Sequence, residues 1–107
     1  MEFECLDVAS LTGFDWDEGN IYKNEQKHGL NYKTIEEVFF NEPLLVVEDF
    51  SHSRDECRCV AFGHDKKQTK IMVVFVQRDN LIRVISAREM TKKEKNFYEA
   101  NKNNPFF

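Results

Sequence analysis

Four arginines stand on or beside two predicted strands, and their side chains could hold a phosphate group. Arg83 interrupts the otherwise apolar segment Leu81 to Ala87, so we expect it to project from one face of a strand with Leu81 and Ile85. A guanidinium keeps its charge and binds phosphate through two parallel hydrogen bonds. Since mid-strand arginines are often paired with acids, a purely structural ion pair is the alternative. The other members of this set are Arg58 on the neighbouring strand and Arg78 and Arg88 at the two ends of the Arg83 strand.

Several side chains could transfer protons beside such a phosphate. Cleavage of RNA needs a base for the 2'-OH proton, an acid for the leaving oxygen and cations that stabilise the phosphate as negative charge builds. His28, His52 and Tyr98 are the candidate acid and base groups, together with His64 or a lysine. The alternatives are that His28 caps a helix and that His52 bonds its own turn. Further RNA contacts are expected from Lys27, Lys70 and Lys92.

Other kinds of site have little support. The chain lacks both G-x-x-x-x-G-K-[ST] and G-x-G-x-x-G, so nucleotide hydrolysis is not expected. Cys57 and Cys59 could join His52 and His64 at a metal, but C-x-C without a second cysteine pair is a poor match to zinc sites. The spacing of the two cysteines also disfavours a bond between them, and we expect free thiols. The sequence therefore predicts no metal and no cofactor, with a metal-binding protein kept as a third alternative.

The length and hydropathy predict a single domain that stays in the cytoplasm. The 107 residues fit one hydrophobic core. No segment reaches the roughly 20 apolar residues that span a bilayer, and residues 1–12 contain three acids without Lys or Arg, unlike a signal peptide. We expect residues 1–107 to form the domain, with no membrane partner.

The charges are divided unevenly along the chain. Residues 1–53 have three bases against twelve acids, whereas residues 54–107 have twelve bases against seven acids, within an overall net charge of -4. This asymmetry favours a basic working face and an acidic remainder. The alternative is that the lysines near residue 92 are simply the solvated face of a helix.

The pattern of apolar residues predicts an α+β fold. An Asn31 or Thr34 cap and a Thr91–Glu94 capping box mark two helix starts, and Asp17 could cap another near Glu18. Successive strands with short connections predict an antiparallel sheet of about four to five strands with three helices on one face. The predicted strands are a short one at residues 14–17 and four at 44–47, 57–63, 71–77 and 81–87.

Read together, these residues resemble the BrnT family of toxins from bacterial type II toxin-antitoxin systems. The resemblance covers residues 14 to about 99, and its most specific part is the I-R-x-I-S-A-R motif at residues 82–88. Other matching pieces are F-D-W-D at residues 14–17, K-H-G at 27–29, E-V-F at 37–39, E-x-R at 56–58 and V-V-F-V at 73–76 with Arg78.

The resemblance implies a RelE-like ribonuclease fold, RNA cleavage, growth arrest and neutralisation by a BrnA-like antitoxin that carries the DNA-binding domain. DNA would then be reached only through the antitoxin. Carried onto this chain, the best matches to motif positions are His28, His52, Arg58, Arg78, Arg83, Ser86, Arg88 and Tyr98.

The chain departs from the family pattern at its ends and in its charges. Residues 1–13 form an atypical extension, and residues 104–107 are a candidate disordered tail. Residues 67–70 (K-Q-T-K) stand where the family has a Gly-Arg turn, with Lys70 as the candidate substitute charge, and Glu89 replaces a base; both changes lower the local positive charge. The leading prediction is a metal-independent endoribonuclease toxin. The alternative is a non-catalytic homologue that acts as a protein-binding module or co-repressor.

Overall fold

The computed structural model describes residues 8–49 and 56–103, which form a five-stranded sheet with three helices and one short 3-10 helix. The predicted α+β class is confirmed. The 3-10 helix is Val8–Ser10, and the three α-helices are α1 (Lys23–His28), α2 (Tyr32–Val38) and α3 (Lys92–Asn101). The strands are β1 (Gly13–Phe14), β2 (Leu45–Glu48), β3 (Arg58–His64), β4 (Lys70–Arg78) and β5 (Leu81–Glu89).

The sheet has the order β1-β5-β4-β3-β2. Strands β2 to β5 form the predicted antiparallel meander, because each pairs with the strand before it in the chain. The β1 strand departs from the prediction, since it pairs parallel with β5. In the chain, β1 precedes the helices and the other strands. It is therefore joined to β5 by a long connection and not by a hairpin, and a long connection allows parallel pairing.

The outer edge of β5 beyond β1 is covered by side chains of α1 and the turn before it. Asn20 Nδ2 donates to the Val84 carbonyl at 3.1 Å, and Lys23 Nζ donates to the Ile85 carbonyl. The Ala87 amide donates to Asn24 Oδ1 at 3.0 Å. These polar side chains satisfy backbone groups that a continued β1 would otherwise have paired.

A bulge in β5 decides which way its arginines point. Val74 of β4 pairs with Ser86, and Phe75 pairs with Val84, so Ile85 is an extra residue. In a regular strand Arg83 and Arg88 would face opposite sides, because side chains alternate with period two. Because of the extra residue, Arg83 and Arg88 point to the same side of the sheet. Their partners on the regular strand β4 are Val76 and Met72, which also share a side.

The two faces of the sheet have separate apolar cores. One core contains Ile35 and Val38 of α2, together with Cys59, Val73 and Val84 from the strands. The second core, on the opposite face, places Tyr98 and Phe97 of α3 against strand side chains such as Phe62 and Met72. The prediction that all helices cover one face is therefore wrong: α3 follows β5 directly and folds onto the face opposite α2.

The first helix begins later than predicted. The Asp17 carboxylate accepts the Gly19 amide at 2.8 Å, as a cap would, but residues 18–22 form turns and not the predicted helix. The helix starts at Lys23 and ends at Gly29, whose φ of 71° gives the left-handed C-cap. The caps of the other two helices are confirmed at Asn31 and at Thr91 with Glu94.

Close contact between α2 and β3 depends on a glycine. A Cβ at Gly63 would lie 2.9 Å from Val38 Cγ1 and 3.3 Å from the Val38 carbonyl oxygen. Because a side chain at position 63 would separate the helix from the sheet, the Gly63 position fixes the thickness of this core.

Parts of the sequence-based predictions fall outside the described residues. Residues 1–7 of the proposed extension, residues 50–55 and the proposed tail 104–107 are among them. The single-domain assignment stays a prediction. Among the described residues, no helix has the length and apolar character needed to cross a membrane.

Candidate functional site

Arg58, Arg78 and Arg83 lie on one face of the sheet, on three adjacent strands. Arg58 of β3 and Arg83 of β5 are both partners of Val76 on the central strand β4, and Arg78 follows Val76 by two residues. Residues two apart on a strand project from the same face. We call these three residues the arginine cluster.

Arg78 is the most accessible member of the cluster and is paired with Glu56. Its Nε and Nη2 donate to the two Glu56 carboxylate oxygens at 2.8 and 2.9 Å. The side chains are 48% and 39% exposed. Hydrogen bonding from Arg78, together with the charges of Arg83 and Arg58, holds the pKa of Glu56 below its usual value. All three arginines therefore act on one carboxylate.

Arg83 is more enclosed, with 14% of its side chain exposed. Its two terminal nitrogens donate to Asp17 at 2.9 and 3.1 Å, and Asp15 lies 3.5 Å from Nη1. Hydrogen bonding from Arg83 lowers the pKa of Asp17. The structural ion pair that the sequence left open for Arg83 is thus present, and alternation along residues 14–17 supplies both acids.

Arg88 lies apart from the cluster. Its partner on β4 is Met72, four residues from Val76, and four residues of a strand span about 13 Å. Arg88 donates to both carboxylate oxygens of Glu94 at 2.7 and 2.9 Å. Glu94 also completes the capping box with Thr91, so this pair anchors the start of α3.

The predicted lysines are spread over different surfaces. Lys70 Nζ lies 2.6 Å from Glu99, and Lys92 is exposed at the first turn of α3, so both belong to the Arg88 end of the sheet. Lys27 is exposed on α1. None of the three is brought beside the arginine cluster by these elements.

The predicted proton-transfer groups also separate. His28 is exposed at the end of α1, one turn past Asn24, which contacts Ala87; it therefore lies toward the Arg88 end of β5. Tyr98 is 2% exposed, its hydroxyl donates to the Pro43 carbonyl, and burial raises its pKa. Both positions argue against a role at the cluster.

Of the two remaining histidines, only His64 lies in the part of the chain that the structure describes. His64 has its ring nitrogens 2.8 Å from the Asp65 carbonyl oxygen and 3.0 Å from that of Glu42, so it ties β3 to the segment before β2. His52 lies outside the described residues. The residues that flank the segment 50–55 are beside the cluster: the Asp49 amide bonds the Arg58 carbonyl at 2.7 Å, and Glu56 bonds Arg78.

In the part of the chain that the structure describes, Cys57 and Cys59 do not form a metal site. Cys59 is a buried free thiol whose pKa is raised to about 11, chiefly by burial. Cys57 is disulfide-bonded, so the prediction of a free thiol is wrong at that position. Within residues 8–49 and 56–103, no three His, Cys, Asp or Glu side chains group as metal ligands.

Sequence reasoning missed the acids that hold the arginines. The F-D-W-D alternation contained a signal, since it directs Asp15 and Asp17 away from the aromatic side chains of the same segment. The pairing of Glu56 with Arg78 and of Glu94 with Arg88 joins different elements and had no such local signal.

Comparisons with known proteins agree with this fold. A model of the family described as the ribonuclease toxin BrnT of type II toxin-antitoxin systems matches residues 16–94. The crystal structure of the Brucella abortus ribonuclease toxin BrnT is similar, with a TM-score of 0.57 and 24% sequence identity, over 75% of this chain and 97% of that one. No curated protein sequence matches the chain. Because the family model covers most of the sequence, the chain belongs to the BrnT family of ribonuclease toxins of type II toxin-antitoxin systems.

Proposed function

We propose that this chain is an endoribonuclease and that the arginine cluster holds the phosphate at which RNA is cleaved. The observation that supports this role most directly is the placement of three guanidinium groups on one sheet face, two of them already gripping carboxylates through paired hydrogen bonds. The same forked geometry suits two oxygens of a phosphate.

The reaction needs no metal. A base removes the proton of the 2'-hydroxyl, the 2'-oxygen attacks the adjacent phosphorus, and the bond to the 5'-oxygen breaks as that oxygen receives a proton. The products are a 2',3'-cyclic phosphate and a 5'-hydroxyl. Arginines stay protonated and cannot be the base, but they stabilise the charge that develops on the phosphate oxygens.

His52 is the proposed base. An imidazole changes its protonation state near neutral pH, and the described residues on both sides of its segment, Asp49 and Glu56, contact Arg58 and Arg78. His28 and Tyr98 are not part of the proposed site, because one lies at the far end of β5 and the other is buried.

Arg88, Lys70 and Lys92 are proposed as contacts to a different phosphate of the same RNA strand. About 13 Å along β4 separates Arg88 from the cluster. Arg88 and Lys92 lie at the start of α3, whereas Lys70 reaches Glu99 nearer its end. Phosphate contacts at a distance from the bond that breaks set the register of the RNA and not the chemistry.

The test is cleavage of a fluorophore-labelled RNA by purified protein in excess EDTA. We expect Arg78→Ala and Arg58→Ala to lower the cleavage rate by about 100-fold or more, as loss of a donor to a developing oxyanion does. Lys33→Ala, at an exposed position of α2, is the charge-matched control and should cleave as the wild type does. Equal rates for all variants would remove the cluster from the site, and activity that is lost in EDTA and restored by Mg²⁺ would remove the metal-independent mechanism.

His52→Ala and Tyr98→Phe separate the proton-transfer candidates. We expect His52→Ala to abolish most cleavage. Tyr98→Phe should retain it while lowering the free energy of unfolding by about 1 kcal/mol, because only a buried hydrogen bond is lost. The opposite pattern would reassign the proton transfer to Tyr98.

In the cell, we propose that cleavage arrests growth and that a BrnA-like antitoxin, which carries the DNA-binding domain, neutralises the toxin in the cytoplasm. Induction of the gene alone should stop growth, and co-induction of the neighbouring reading frame should restore it.

One observation favours a second candidate function, a non-catalytic homologue that binds the antitoxin as a co-repressor. Arg78, Arg83 and Arg88 each already have a carboxylate partner within the chain, so RNA must compete for them. Intact RNA after incubation with protein that binds its antitoxin would favour this alternative.

A further inference from the structure

Four aromatic side chains form a connected strip on the α2 side of the molecule. The ring centroids of Tyr32 and Trp16 are 5.8 Å apart, those of Trp16 and Phe14 are 6.4 Å apart, and those of Phe14 and Phe40 are 6.2 Å apart. We call Tyr32, Trp16, Phe14 and Phe40 the aromatic strip. Phe39 joins it to the core, contacting both Phe14 and Phe75.

The exposed end of the strip is Phe40, which is 77% exposed, while the other three rings are half-buried. A single exposed apolar residue is common on protein surfaces. Phe40 differs because it continues a row of rings that is already fixed in position by packing. Rigid aromatic side chains of this kind are frequent anchors of protein interfaces.

The surroundings of the strip are acidic. Residues 31–43, the segment that carries Tyr32 and Phe40, have three acids and one base, and one of the acids, Glu37, is paired with Lys66. Glu36 accepts the Trp16 indole N–H at 2.7 Å, and Glu42 is exposed two residues after Phe40. A partner that covers the strip would therefore present apolar side chains flanked by Lys or Arg.

The strip faces away from the arginine cluster. Within residues 14–17, Phe14 and Trp16 pack toward the core shared with α2, whereas Asp15 and Asp17 reach Arg83. RNA would meet the basic face and a basic partner the acidic one. One small domain can thus offer separate surfaces to ligands of opposite charge.

We propose that the aromatic strip is the docking surface for the antitoxin, which seats an apolar side chain on Phe40 and places basic residues beside Glu36 and Glu42. This inference rests on the proposed function, since it assigns a surface to the partner proposed there.

The test measures binding of the purified product of the reading frame next to the toxin gene, by calorimetry, to the full-length chain. We expect Phe40→Ser to weaken binding by about 30-fold or more. Tyr22→Ser is the matched control, because Tyr22 is 56% exposed and makes no ring contact with the strip among the described residues; its affinity should stay within about threefold. Phe40→Ser should still cleave RNA but escape neutralisation.

A second variant tests the charge of the surface and guards against misfolding of the first. Glu42→Lys should slow association with the same antitoxin and leave the dissociation rate nearly unchanged, as expected for a charge at the rim of an interface. Wild-type affinity in both Phe40→Ser and Glu42→Lys would overturn the proposed surface.

Two further outcomes are informative. If the wild-type chain does not bind the neighbouring product at all, the antitoxin part of the proposed function fails, and with it the occupant proposed here. If light scattering shows that the wild-type chain is a dimer and that Phe40→Ser is a monomer, the strip is an interface between copies of the chain and the proposal is overturned.

Discussion

At the scale of single residues, the main feature of the site is competition for its cations. Arg78 holds Glu56 through two hydrogen bonds while both side chains remain partly exposed. Solvent-exposed ion pairs contribute little to stability, because water screens them. If RNA binds at Arg78 as proposed, it displaces the Glu56 carboxylate, which adds little support to the fold.

Glu56→Gln should strengthen RNA binding. The neutral amide grips Arg78 less well, and the cluster gains one net positive charge, so we expect the dissociation constant for a single-stranded RNA to fall by about threefold to tenfold at low salt. Fluorescence anisotropy measures the change. Glu25→Gln is the control, because it removes the same charge at an exposed position of α1. Equal gains in both variants would indicate an effect of net charge and not of displacement at Arg78.

At the scale of elements, the start of α3 depends on the Glu94 carboxylate, which binds Arg88 and also caps the helix. Glu94 accepts two hydrogen bonds from Arg88 and one from the Thr91 amide at 2.8 Å. Arg88 therefore connects the end of β5 to the capping box, and its role in the fold is stronger than that of Arg78.

Glu94→Gln should destabilise the protein in a pH-dependent way. Hydrogen bonding from Arg88, followed by that of the Thr91 amide, lowers the pKa of Glu94 below its value of 4.5 in the unfolded chain. The ionised form is thus favoured by folding, so its contribution is complete above pH 4.5 and is lost as pH falls through the lower folded value. We expect the variant to lose about 1–2 kcal/mol at pH 7.

Urea denaturation of both proteins between pH 7 and pH 3 measures this difference. The gap between the wild type and Glu94→Gln should narrow in acid, as the wild-type carboxyl becomes protonated. A gap that stays constant over this range would show that the ionised carboxylate is not the stabilising form.

The elements that were predicted well are those with local signals. The helix caps are local, since each joins residues only three apart: Thr91 with Glu94, and Asn31 with Thr34. The alternation of apolar and polar residues likewise predicts β3 to β5. The pairing of β1 with β5 and the packing of α3 on the opposite face depend on contacts between residues far apart in sequence, which no local pattern predicts.

The geometry of the candidate site could not be predicted for the same reason. Nothing near Ile85 signals a bulge, so the sequence could not show that Arg88 shares a face with Arg83 yet lies at the other end of it.

At the scale of the whole molecule, acids and bases are divided unevenly along the chain, and the fold brings Asp15 and Asp17 of the acidic part onto Arg83. In the described part of the chain, residues 56–103 have eleven bases and six acids, whereas residues 8–49 are acidic. The protein as a whole has a net charge of -4. A polyanion is therefore attracted only locally, and few phosphates should be contacted.

The salt dependence of RNA binding should report this small number. Each phosphate neutralised on a single strand contributes about -0.7 to the slope of log K against log salt, so one phosphate held by the arginine cluster and one held near Arg88 predict a slope of about -1.4. Arg78→Ala should reduce the magnitude by at most about 0.7, the contribution of one phosphate, whereas Lys33→Ala, on the acidic side, should not change it. Anisotropy titrations between 50 and 300 mM NaCl, a range chosen so that counterion release dominates the change, give the slopes. A wild-type slope several times steeper would mean that RNA follows a much longer basic surface, including the lysines of α3. A slope near zero would mean that binding depends on contacts other than phosphate, which would contradict the role proposed for the cluster.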